Sequence, residues 1–296
     1  MSRWACAAGA ATMLAATGAA AATLPEVYAE RTAMIEADAR CRLFEPGLAA
    51  ALGAARAQAR GAALRAGADP AELDRIAGRA RAGAAALPCT SPRLAAWAAR
   101  VRSAFEGWSR APRMSFPGET AVWEAARPAD GDGGWRLSQA APLEGGTFRF
   151  GLAGPGAAAL TAVADFGPGP GPYAARLVLR DPGRTSGPYL GAPGLGAGRP
   201  PALARRLPPR TAARVFQASG RGPAAPALRP ARSRTALAFR FPDAAAGAIE
   251  ALDPREAVAV EFLFGGRGGE AVRTAYVEVG DFAAGRAFLS AAPRRD

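Results

Sequence analysis

Guanidinium is the chemistry this sequence offers most plainly. Arg184, Arg199, Arg205, Arg206, Arg210, Arg214, Arg221, Arg229, Arg232, Arg234 and Arg240 all fall between Asp181 and Asp243, and no aspartate or glutamate lies among them. A segment with that imbalance cannot neutralise itself locally. Its arginines either pair with acids from elsewhere in the fold or face an anionic partner. The planar guanidinium fork binds phosphate and carboxylate through two parallel hydrogen bonds. Arg199, Arg205, Arg206, Arg210 and Arg214 form the candidate anion-binding set. The competing expectation is a solvated basic loop, because arginine replaces lysine throughout this chain. All 37 basic residues are arginine, there is no lysine or histidine, and the net charge is +12.

The missing residue types narrow the remaining chemistry. Without histidine there is no Ser-His-Asp or Cys-His relay and no histidine-based zinc site. Without lysine there is no Ser-Lys dyad, Schiff base or Walker-type phosphate lysine. Paired carboxylates remain open as a hydrolytic device. Glu119, Glu124, Glu256 and Glu261 sit on or near candidate strands, yet nothing in their spacing places two at a working separation. Salt bridges to the abundant arginines are their expected fate, and no catalytic residue is assigned. Asp130-Gly131-Asp132-Gly133 is a fragment of a calcium-loop pattern. It lacks the third oxygen ligand and the distant glutamate, and it suits a hairpin turn better. No metal or other cofactor is expected.

Cysteine supplies the covalent chemistry. Arg3, an alanine-rich run and the small-residue site Ala20-Ala21-Ala22 read as a signal peptide over residues 1–22. Its removal would take Cys6 with it and leave Cys41 and Cys89, which an oxidising compartment pairs. The expected location is periplasmic or secreted. No later segment approaches the roughly 18 uninterrupted apolar residues of a membrane helix, so no transmembrane segment is expected in the mature chain.

The elements that must position these groups fall into two parts. Residues 23–111 read as four helices. Prolines mark three of the starts, at Glu45-Pro46, Asp69-Pro70 and Ser91-Pro92, where a first helical turn tolerates them. Leu94, Trp97, Ala98, Val101, Phe105 and Trp108 recur every three or four residues, the clearest amphipathic stripe. Short connections make neighbouring helices antiparallel, which brings Cys41 and Cys89 to one end of the bundle. Residues 112–296 change period. Alternating segments recur from Thr120–Ala126 to Val272–Val279, separated by glycine-rich turns, as in an antiparallel sandwich or barrel. Two short helices are expected after Pro242-Asp243 and Asp281. Residues 182–234, rich in arginine, proline and glycine, read as a long loop.

The expected fold is therefore α+β: an N-terminal disulfide-closed four-helix bundle followed by an antiparallel β-sandwich or barrel-like domain. The expected function is an exported non-catalytic envelope protein, a module that binds an anionic or protein partner and no specific nucleic acid. The alternative is a carboxylate-dependent hydrolase acting on cell-envelope polymers.

Overall fold

The computed structural model describes residues 22–127, 133–154, 159–185, 187–190, 202–231, 233–266 and 269–290. The chain is α+β, with four helices followed by a two-sheet antiparallel sandwich carrying two further helices. The segment expected to be a signal peptide, all but its last residue Ala22, lies outside the described residues. So do Asp130, Asp132 and Arg199. Among the described residues no helix is long and apolar enough to cross a membrane.

The helices are α1 (Leu24–Cys41), α2 (Pro46–Arg65), α3 (Pro70–Ala85) and α4 (Pro92–Arg110). Each starts with proline in its first turn, where the missing N–H would have had no helical partner. Thr23 and Glu26 close a reciprocal capping box on α1, and the Asp69 carboxylate accepts the Glu72 N–H at the start of α3. Helix α1 packs on α2 and α3, and α2 also packs on α4. The interior is built largely from small residues: Ala33, Met34, Ala37, Leu52, Ala84, Leu94 and Ala98 near one end, and Tyr28, Ala59, Ala63, Leu64, Leu73 and Ala77 near the other. Cys41 and Cys89 are bonded, with their Cα atoms 5.5 Å apart. The bridge ties the end of α1 to the α3–α4 connection.

The larger sheet has the order β1-β2-β3-β4-β5-β9-β8, from β1 (Arg113–Pro117), β2 (Val122–Ala126), β3 (Trp135–Leu143), β4 (Gly146–Ala153), β5 (Ala159–Asp165), β9 (Leu237–Arg240) and β8 (Gly220–Pro223). The smaller has the order β11-β10-β6-β7, from β11 (Gly269–Glu278), β10 (Ala257–Gly266), β6 (Ala174–Arg180) and β7 (Ala213–Gln217). Inward residues of alternating strands form one core that includes Phe148, Phe150, Leu177, Phe239, Val260, Phe262 and Val277. Helix α5 (Asp243–Glu250) follows β9. Helix α6 (Phe282–Ser290) follows β11 and sets Phe282 and Phe288 against Trp123, Phe116 and Trp108. Trp108 is thus part of the packing between α4 and the sandwich. The Arg127 guanidinium lies 3.7 Å from the Phe288 ring centre and also donates to the Phe288 and Ala111 carbonyls.

Two strands fall outside the alternating segments of the sequence. Strand β1 is short, starting after Pro112 and ending at Pro117. Strand β8, Gly-Arg-Gly-Pro, shows no apolar alternation and exists through its pairing with β9. The segment 182–234 is also more ordered than a long loop. Besides β7, which the alternation of residues 213–218 predicts, it contains β8 and 3-10 turns at Leu203–Arg206, Arg210–Ala212 and Pro226–Leu228. The first of these turns packs on β10 and β11.

Candidate anion-binding surface

The structure divides the candidate arginines by burial. Arg205 and Arg206 are adjacent in one 3-10 turn, yet Arg205 is exposed and Arg206 retains 2% of its accessibility. Arg206 points inward. Its Nη1 donates to Glu119 Oε2 at 2.8 Å and to the Arg255 carbonyl at 2.8 Å. Arg210 is exposed at the start of the next turn. Arg214 lies on β7, the edge of the smaller sheet, and its Nη2 donates to Asp181 Oδ1 at 2.8 Å. The other oxygen of Asp181 meets Arg184 Nε at 3.4 Å. The Asp181 N–H in turn donates to the Ala212 carbonyl, which fastens the turn carrying Arg210 beside this carboxylate.

Arg184 and Arg214 thus share the Asp181 carboxylate, and the exposed Arg205 and Arg210 are carried on the two turns that precede β7. One carboxylate cannot balance them, and Arg205 and Arg210 have no ion-pair partner among the described residues. Other arginines of the acid-free stretch serve the fold. Arg221 donates to the Pro172 carbonyl at 2.8 Å and Arg229 to the Ala224 carbonyl at 2.7 Å. Guanidinium with its five donors suits this role of satisfying loop carbonyls.

The carboxylates show the complementary pattern. Glu256, nearly fully buried, accepts both Nε and Nη2 of Arg180, at 2.6 and 2.9 Å, and it holds that guanidinium above its usual pKa. Glu261 pairs with Arg176 at 2.5 Å, Glu124 accepts the Ser115 hydroxyl at 2.8 Å, and Glu119 holds Arg206. Two acids of greater structural weight were not weighed as site residues in the sequence. Glu278 is fully buried and accepts the N–H groups of Glu119, Thr120 and Ala121 and the Thr120 hydroxyl, at 2.5 to 2.9 Å. A Cβ on Gly118 would lie 2.5 Å from its Oε1, so the turn requires glycine there. Asp281, at the start of α6, accepts both Nη atoms of Arg65 at 2.8 and 3.0 Å, joining α2 to the sandwich. Burial pushes the Asp281 carboxyl above the usual range, against the opposing pull of Arg65. Among the described residues no group of three or more Cys, Asp or Glu is arranged to hold a metal ion.

The neighbouring arginines give opposite expectations. Arg206→Gln should destabilise the protein by about 3 kcal/mol, because it strands the half-buried Glu119 carboxylate. Arg205→Gln should change stability by no more than about 0.5 kcal/mol, as exposed substitutions do. Chemical denaturation of the two variants checks this. Equal midpoints would contradict the buried placement of Arg206.

No protein-family model matches the chain, and no curated protein or solved structure matches it either.

Proposed function

We propose that this is an exported envelope protein that docks on anionic surfaces through Arg184, Arg205, Arg210 and Arg214. The observation that carries the reading is a local imbalance of charge: Arg184 and Arg214 share the one carboxylate of Asp181, and Arg205 and Arg210 stand exposed on the turns before β7 with no ion-pair partner among the described residues. Such a surface attracts phosphate-rich membranes over a distance set by ionic screening. The Cys41–Cys89 bridge accords with an oxidising compartment, and residues 1–22 with an export signal. The hydrolase reading has less support. Each of the four glutamates that sequence reasoning weighed for it is already engaged by an arginine or a hydroxyl.

The test uses the triple variant R205Q/R210Q/R214Q, which leaves the buried Arg206 in place. Each arginine near an anionic membrane contributes about 1 kcal/mol of attraction, so binding to phosphatidylglycerol-containing vesicles should fall on the order of a hundredfold. The melting temperature should barely move. A triple variant that sediments with these vesicles as well as the parent would remove the basis of the proposal.

A further inference from the structure

A cavity of about 300 Å³ lies where the helical bundle meets the sandwich, between α2, the first turns of α1 and α6, and the α5–β10 connection. Its volume is at the small end of the range for ligand pockets. We propose that it binds a small anionic molecule, with Arg56 and Arg60 supplying the charge and Tyr28 a hydrogen bond. This site is separate from the arginine surface around Asp181 and does not depend on it.

The charges around the cavity are unequal. Two carboxylates line it, Asp281 and Glu250, and both are already held by arginines: Asp281 by Arg65 at 2.8 Å, Glu250 by Arg286 at 2.5 Å. Two arginines also line it, and neither is comparably engaged. Arg56 has no ion-pair partner among the described residues. Arg60 reaches Asp74 only at 3.8 Å, and the Asp74 side chain is 71% exposed, a pair that solvent leaves weak. An anion entering here meets two available guanidinium groups on successive turns of α2, one helical turn apart and so on one face.

Tyr28 adds a hydrogen-bond donor to the wall. The residue keeps only 6% of its accessibility, with its ring packed among Ala59, Ala63 and Leu64. It lines the cavity, yet its hydroxyl has no hydrogen-bond partner among the described residues. The hydroxyl is not closed off by protein, so a molecule in the cavity can accept its hydrogen bond in place of water. Ile249, Leu252 and Pro254 add an apolar wall, which suits an organic portion behind the anionic head.

Calorimetric titration of the full chain, disulfide intact, with inorganic phosphate and separately with hexanoate tests the site. Binding of at least one probe is expected. Arg56→Gln should weaken it about tenfold or more, since hydrogen bonds to charged groups are the strong ones. Tyr28→Phe should weaken it by a smaller factor without lowering the melting temperature much, and Arg79→Gln, on an exposed face of α3, should leave it unchanged. Tighter binding of hexanoate assigns the apolar wall to the ligand, and tighter binding of phosphate assigns the site to a phosphate group alone. The proposal is overturned if neither probe binds at millimolar concentration, or if Arg56→Gln and Tyr28→Phe bind as the parent does.

Discussion

Glu278→Ala should be the most damaging single substitution in the sandwich, lowering stability by about 5 kcal/mol. The carboxylate is fully buried and takes four hydrogen bonds from the β1–β2 turn, three of them from backbone N–H groups. Deleting it leaves those donors without an acceptor, and each stranded group costs about 1–3 kcal/mol. The backbone of the same residue is also committed. Its N–H donates to Gln139 Oε1 at 2.9 Å, and its carbonyl accepts from Trp123 Nε1 at 3.1 Å and Gln139 Nε2 at 3.2 Å. Glu278 thereby joins β11 to β3 and to the β1–β2 hairpin, across the two sheets. For a chain of this size the loss corresponds to a fall in melting temperature of roughly 10–20 °C. Glu278→Gln keeps one acceptor oxygen and the shape, so it should cost less than alanine. Thr120→Val removes one of the four bonds and should cost about 1 kcal/mol. Hydrogen exchange supplies the local reading: the amides of Glu119, Thr120 and Ala121 should lose protection in Glu278→Ala. Protection equal to that of the parent would mean that the carboxylate does not hold the turn.

Reduction of Cys41–Cys89 should have an effect of similar size on the helical bundle. The bonded residues are 48 apart in sequence, and closing a loop of that length in the unfolded chain is worth about 4 kcal/mol on the chain-entropy estimate. The bundle has little to offset such a loss. Ala33, Ala37, Ala84 and Ala98 make up much of the core cluster near the bridge, and alanine buries little area. Helicity followed by far-ultraviolet circular dichroism should therefore melt at lower temperature in Cys41→Ser/Cys89→Ser or in reductant. The sandwich retains its own phenylalanine-rich core and should melt later. Superimposable melts with and without reductant would contradict this account of the bundle.

The helical half was legible because its punctuation is local. Glu45-Pro46, Asp69-Pro70 and Ser91-Pro92 mark helix starts whatever the rest of the chain does, and short connections then oriented the helices well enough to pair Cys41 with Cys89. Strands β1 and β8 were not legible, because Gly220–Pro223 pairs through its backbone and offers no apolar alternation. Burial of charge was hidden for a related reason. Nothing in Ala-Arg-Arg-Leu separates Arg205 from Arg206. The difference comes from Glu119, which a turn remote in sequence delivers to the inner side. Likewise Glu278, flanked by Val277 and Val279, gives no sign that three backbone N–H groups of another hairpin converge on its carboxylate. Acids and arginines find one another across the fold, and the excess of arginine leaves Arg205 and Arg210 exposed without an ion-pair partner among the described residues.

That residue of positive charge is the central claim, and its salt dependence tests it most directly. Binding of the full chain to phosphatidylglycerol-containing vesicles should weaken steeply as ionic strength rises from about 0.1 M to 1 M, where the screening length falls from about 10 Å to about 3 Å. Vesicles of phosphatidylcholine alone should bind little at any salt. Binding that is indifferent to salt, or equal on the two kinds of vesicle, would contradict a function built on the arginines around Asp181.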